Sequence, residues 1–119
     1  MKSLGDQYET RAAAWLQHQG LTIIARYFRC RAGELDLIGL QGSCLVFIEV
    51  RARSNARFAS AAASVDQRKR QRLVRAAQWF LQRHPRLTHL PCRFDVIAFQ
   101  PPQSATEQVP IWIQGAFTE

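Results

Sequence analysis

"GELDLIGLQGSCLVFIEVRAR", residues 33–53, contains two apolar runs separated by Gln41-Gly42. Such runs, bounded by turn residues, predict two antiparallel strands over 34–40 and 44–52 joined as a hairpin. Side chains alternate along a strand, so Glu49 and Arg51 share a face with Leu45 and Phe47, while Glu34 and Asp36 share one with Ile38. A hairpin symmetric about Gln41-Gly42 sets Asp36 opposite Phe47 and Glu34 opposite Glu49. Asp36 and Glu49 then become diagonal neighbours, about 7–8 Å apart between Cα atoms. Carboxylates at that spacing repel unless a proton or a cation lies between them.

Working outward, Leu4, Tyr8, Ala12, Trp15 and Leu16 form one stripe at helical period, which predicts a helix over 4–19 stopped by Gly20. "LTIIARYFRC" (21–30) reads as a strand, with a turn at Arg31-Ala32-Gly33 leading into the hairpin. Residues 53–63, "RSNARFASAAA", read as a mobile loop. A long helix is expected from Ser64, with Gln67 completing a capping box and Pro85 limiting its far end. "CRFDVIAF" (92–99) is a further strand, 100–108 a surface loop, and "VPIWIQGAF" a last strand. The order α-β-β-β-α-β makes this an α/β chain, a mixed sheet flanked by helices, within a single domain over 1–119.

Composition narrows the function. The chain has 119 residues and is 47% hydrophobic, enough for a real core. It has no apolar run long enough to span a membrane, and acids interrupt its first residues where a signal peptide needs an apolar stretch. Three scattered cysteines and three histidines without ligand spacing argue against a disulfide framework and a zinc site. A cytoplasmic protein is expected. Its net charge is +7, and residues 51–75 carry eight basic residues against Asp66 alone, a surplus equal to that of the whole chain. A solvated basic helix or a polyanion partner, nucleic acid first, would each account for it.

Two or three carboxylates converging on one strand pair suit a hard divalent cation, magnesium or manganese, since neither thiolate nor imidazole accompanies them. Each acid also has an ordinary reading. Glu34 beside a turn can be merely solvated, Asp36 can be an outer-face residue, and Glu49 can pair with Arg51 alone. On the long helix, Lys69 falls on the inward stripe of Leu73, Ala77, Phe80 and Leu81, about one turn before Leu73, whereas Arg68 and Arg75 point away. Its stem either snorkels along the core or brings the ammonium to the acids. Glu9, at the margin of the first helix's apolar stripe, either aims at the sheet or forms its outer border.

The run "GELDLIGL…CLVFIEVRAR…VDQRKRQRL…CRFDVIAF" resembles the YraN family of small bacterial proteins, which is similar to archaeal Holliday junction resolvases of the PD-(D/E)xK nuclease superfamily. The match runs from about Gly5 to Phe99, and "GAF" near the end fits as well. The resemblance implies a restriction-endonuclease-like core and metal-dependent hydrolysis of phosphodiesters. By it, Glu9 matches the acid of the first helix, Asp36 the aspartate of the second strand, Glu49 the acid of the E-x-K element, and Lys69 a basic residue of the following helix. Glu34 belongs to the family's GE-hydrophobic-D signature, without an assigned chemistry. Arg51 departs from the pattern, which has lysine there. An arginine can hold a phosphate but stays protonated and cannot take a proton from water. A second departure is "RFASA" (57–61), where a glycine is expected after the phenylalanine.

The resulting expectation is a nuclease-like domain in which Asp36 and Glu49, with Glu9, hold magnesium or manganese. Arg51 and Lys69 offset phosphate charge, and Arg53, Arg57, Arg70 and Arg72 contact the backbone of structured or branched nucleic acid, DNA first. Two rivals stay open: a binding module that kept the fold and lost the reaction, and a structural protein whose basic helix meets an acidic protein. Junction resolvases work as dimers, and the resemblance extends that expectation, a homodimer, to this chain by analogy alone.

Overall fold

The computed structural model describes residues 4–52, 63–99 and 109–117. Its elements run α1 (Leu4–His18), β1 (Thr22–Cys30), β2 (Gly33–Gln41), β3 (Cys44–Ala52), α2 (Gln67–Arg83), a single 3-10 turn (Pro85–Leu87), β4 (Cys92–Phe99) and β5 (Ile111–Phe117). The five strands form one mixed sheet in sequential order, antiparallel except where β3 pairs with β4 in parallel. A parallel pair needs a crossover, and α2 lies within it. The loops expected over 53–63 and 100–108 fall almost wholly outside the described residues.

The sheet is apolar on both faces, and each face has its own core. On one side Tyr8, Ala12, Ala13 and Leu16 of α1 pack with Leu37, Val46, Ile48, Ile97 and Phe99. On the other, Leu73, Ala76, Ala77 and Phe80 of α2 pack with Leu35, Ile38, Leu45, Phe47, Phe94 and Val96. Strands buried on both faces read as continuous apolar runs, hence Leu45 to Ile48 and Phe94 to Phe99, broken in the latter only by Asp95. Phe80 anchors α2 by meeting Phe28 edge-on at 5.3 Å and Phe47 at 6.1 Å. This fixes the whole helix, including its first turn, against the β2–β3 pair.

Three local expectations change. Asp66, rather than Ser64, caps α2, its carboxylate accepting from the Lys69 amide at 2.8 Å. A carboxylate is a strong acceptor and also carries the charge favoured at a helix N-terminus. The hairpin turns at Gly42-Ser43, with Gln41 paired to Cys44, and Gly42 takes the positive φ of 59° that glycine accepts without strain. The register therefore moves by two residues, which keeps every side chain on its face but changes its partner. One step past the last pair, Leu37 with Ile48, stand Asp36 and Glu49, so they are neighbours across the strands and Glu34 does not oppose Glu49.

The third change is in β2 itself. Leu35 and Ile38 both pack in the α2-side core, while Leu37 packs in the α1-side core. Regular alternation cannot do this; the strand changes face at Asp36. Its neighbour β1 does the same, because Ala25 and Phe28 both border the α2-side core, and Tyr27 between them has a φ of 56°. Asp36 thus does not share a regular face with Ile38. It sits at a coordinated twist of two paired strands.

Candidate functional site

The twist at Asp36, the end of the β2–β3 ladder and the two helices converge on a cavity of about 230 Å³. Tyr8 and Glu9 of α1, Glu34 and Asp36 of β2, Glu49, Val50 and Ala52 of β3, and Lys69 of α2 line it. All five residues expected to carry chemistry meet here or beside it. Glu49 is buried at 5% exposure, and its Oε2 lies 3.3 Å from both Lys69 Nζ and Arg51 Nη2. Lys69 therefore brings its ammonium to the acids rather than lying along the core. Glu49 has both cations, so the single Glu49–Arg51 pair is only part of its environment.

Asp36 Oδ2 accepts from the Val50 amide at 2.8 Å, where the β2–β3 ladder has ended. On either side Asp36 is hydrogen-bonded to another acid, Glu49 and Glu9. Hydrogen bonds between carboxyl groups need protons, and burial favours the neutral forms. Burial, then Asp36 as hydrogen-bonded and charged neighbour, pushes Glu49 up to about 8 against the opposing pull of Lys69 and Arg51. Burial likewise raises Asp36 to about 6, and Glu9 is raised chiefly by burial. The three acids form a row, Glu9–Asp36–Glu49, that holds protons well above the ordinary carboxylate range.

Two polar atoms at the row are buried without a hydrogen-bond partner: Glu9 Oε2, an acceptor, and Arg51 Nε, a donor. Buried polar atoms are rarely left so, and an orphan acceptor beside an orphan donor suits a ligand that offers both a cation and an anionic oxygen. Among the described residues, no set of three or more His, Cys, Asp and Glu side chains is disposed to hold a metal ion. The acids instead meet as hydrogen-bonded neighbours. Magnesium needs only one or two protein carboxylates, and Asp36 with Glu49 supplies that number, with hard oxygen donors alone.

The remaining residues separate. Glu34 lines the cavity but is ion-paired to Arg29 at 3.5 Å and well exposed. Arg70 donates to the Val65 carbonyl at 2.8 Å and lies over the Phe117 ring, so its guanidinium is already engaged. Arg72 is exposed on α2, and Arg53 and Arg57 lie outside the described residues. Sequence reasoning missed Tyr8 as a wall of the cavity, having placed it on the core stripe; it is both, stacked against Phe99 at 5.2 Å. It also missed the Val50 amide, for which no side-chain signal exists. It missed the buried Asp95 too, although an acid inside the apolar run of β4 carries the same signal as Glu49.

An α/β protein with a mixed five-stranded sheet, helices on both faces and a row of buried acids at the sheet's twist is the class that fold and geometry define. The chain belongs to the uncharacterised protein family UPF0102, whose model matches residues 8–99 and so spans every acid and cation of the row. It is 52% identical over 116 residues to a UPF0102 protein of Alcanivorax borkumensis, covering 98% of this chain and 92% of that one. A UPF0102 protein of Methylobacillus flagellatus is 48% identical over 118 residues, covering 99% of each chain. One of Pseudomonas fluorescens is 47% identical over 113 residues, covering 95% of this chain and 91% of the other. Among the described residues, no helix is long and apolar enough to cross a membrane.

Proposed function

We propose that this protein is a metal-dependent phosphodiesterase of the nuclease type, an endonuclease acting on structured or branched nucleic acid, with DNA the first candidate. The observation that carries the reading is the acid row Glu9–Asp36–Glu49 with Lys69 and Arg51 at its Glu49 end. The resemblance of its motifs to archaeal Holliday junction resolvases supports it. Asp36 and Glu49, with the orphaned Oε2 of Glu9, would hold magnesium or manganese. When bound, the cation supplies Lewis-acid polarisation of a phosphoryl oxygen and a more acidic water.

The chain's own residues do the rest. Lys69 and Arg51 set positive charge beside the place where phosphate charge develops, in a partly buried site where such charge counts for more than in water. Arg51 remains a cation throughout, so it orients and stabilises but does not accept a proton. The Val50 amide holds Asp36 in place through its Oδ2. Tyr8 and Lys69 wall the cavity, limiting bulk water around the acids.

A second reading rests on Arg51, an arginine where the nuclease pattern has lysine: a binding module that kept the architecture and lost turnover. The test is incubation of the purified protein with a branched DNA duplex and magnesium or manganese. Cleavage is expected from the wild type and its loss from Asp36→Ala and Glu49→Ala. Equal cleavage by wild type and both variants would sink the assignment. Silence in all three, with cleavage appearing in Arg51→Lys, identifies a decayed enzyme. Silence in that variant too, with salt-dependent DNA binding intact, leaves the binding module.

A further inference from the structure

Beside the acid cavity lies a second and larger one, about 530 Å³, lined by Asp6, Arg26, Tyr27 and Arg29. Arg26 and Arg29 are three residues apart, so a regular strand would send them to opposite faces. They line one cavity because β1 changes face at Tyr27, whose φ of 56° is a left-handed conformation that a tyrosine adopts only under constraint. Strain of that kind persists where the surroundings over-determine it, and it gathers at ligand sites. Here it gathers two guanidiniums on the α1 side of the edge strand, in a segment outside the basic stretch of residues 51–75.

The two side chains are differently held. Arg26 Nη2 donates to Thr10 Oγ1 of α1 at 2.9 Å and to Tyr27 Oη at 3.3 Å, with the guanidinium 5.2 Å from the Tyr27 ring centroid. Both bonds leave from Nη2, and a guanidinium carries five donors. Arg29 is largely exposed, and its Nε lies 3.5 Å from Glu34 Oε1. That pair is also the party wall of the two cavities, since Arg29 lines one and Glu34 the other. Asp6, the acid in the larger cavity, is hydrogen-bonded to Tyr27.

The geometry points to this cavity as a second phosphate subsite, in which Arg26 and Arg29 hold a backbone phosphate of the same nucleic acid strand whose neighbouring phosphodiester enters the acid cavity. This rests on the nuclease reading for the identity of the ligand. Arginine's planar fork suits a phosphate with two oxygens presented, and the exposed Glu34 partner is readily displaced from Arg29 by a dianionic competitor. Backbone contacts here position the strand without reading its sequence. Glu34 thereby gains a role: in the free protein it keeps Arg29 poised at the wall between the cavities.

The experiment measures binding of a labelled branched DNA in EDTA, across a range of salt, so that no turnover enters. Arg26→Gln with Arg29→Ala is compared with Arg75→Ala with Arg86→Ala, two exposed arginines elsewhere whose loss changes the net charge equally. The first pair is expected to weaken binding at least tenfold more than the second and to flatten the salt slope by about two units, one per phosphate contact. Equal losses in the two doubles overturn the subsite. If Arg26→Gln fails to fold, Arg29→Ala alone must still flatten the slope by about one unit, and an unchanged slope refutes the proposal. Cleavage by the wild type without a differential loss ends the subsite and spares the nuclease. A differential loss in a protein that never cleaves does the reverse.

Discussion

Two buried acids on adjacent central strands, Asp95 of β4 and Glu49 of β3, have opposite surroundings. Asp95 is fully buried and surrounded by donors. Arg93 Nε approaches its Oδ1 at 3.0 Å and Nη2 its Oδ2 at 3.1 Å, Trp112 Nε1 reaches Oδ2 at 2.9 Å, and the Gly115 amide reaches Oδ1 at 2.9 Å. Its charge is satisfied within the protein, and it ties β4 to the edge strand β5. Glu49 faces two cations but also Asp36, which in turn faces Glu9. One carboxylate is complete; the other belongs to a row that keeps protons and leaves Glu9 Oε2 without a partner. Burial alone therefore does not mark a functional acid. The company of other acids does.

The largest expected effect breaks the complete site. Asp95→Ala strands the Arg93 guanidinium and leaves the Trp112 and Gly115 donors unpaired, so it should destabilise the fold by about 3–5 kcal/mol in urea unfolding. Glu49→Gln should cost much less, because it also removes a repulsion. An equal cost for both would mean that the acid row is as structural as Asp95.

The pH dependence separates the two regions next. Glu49 holds its proton to about 8 in the folded chain and Asp36 to about 6, against ordinary values of 4.5 and 3.8. Over those windows the folded state binds more protons than the unfolded one, so stability is greatest below the ordinary values and falls as pH rises. From pH 6 to 8 Glu49 alone should remove roughly 2 kcal/mol, at about 1.4 kcal/mol per pH unit before the curve levels near 8. Glu49→Gln should flatten urea-derived stability over pH 6–8, and Asp36→Asn over pH 4–6. A wild type whose stability rises over pH 6–8 would refute the proton-holding row.

How much of this was legible follows from which physics each residue obeys. The strand pair 33–53 was readable because its apolar runs are long and its turn residues few; the acids and Lys69 were readable because charge within an apolar run or stripe demands a partner. The hairpin register was not, since Gln41-Gly42 and Gly42-Ser43 both make acceptable turns and only packing chooses between them. Nor was the twist at Tyr27 and Asp36, because alternation is a rule for regular strands and a tyrosine gives no sign of positive φ. That one irregularity repositions Asp36 and gathers Arg26 with Arg29. The sites thus depend most on the feature that pattern reading assumes away.

Cation binding sharpens the contrast by a smaller amount. If Asp36 and Glu49 are completed by a divalent ion, magnesium or manganese at ten times its Kd should add about 1.4 kcal/mol to the wild type's unfolding free energy. The gain should vanish in Glu49→Gln and persist in Arg93→Lys, which perturbs only the Asp95 site. An equal gain in the wild type and Glu49→Gln would place the ion elsewhere.

The smallest effect is expected at Glu34, the acid that lines the cavity without joining the row. Its Oε1 reaches only Arg29, in an exposed pair 3.5 Å apart, and such pairs contribute about 0–1 kcal/mol. Glu34→Gln should therefore change stability by about 0.5 kcal/mol or less and leave the slope over pH 6–8 as it is in the wild type. Its effect should appear in DNA binding instead, where freeing Arg29 strengthens affinity modestly at low salt. A flattened pH slope in this variant would enrol Glu34 in the proton-holding row, and the distinction between acids that face cations and acids that face one another would then need redrawing.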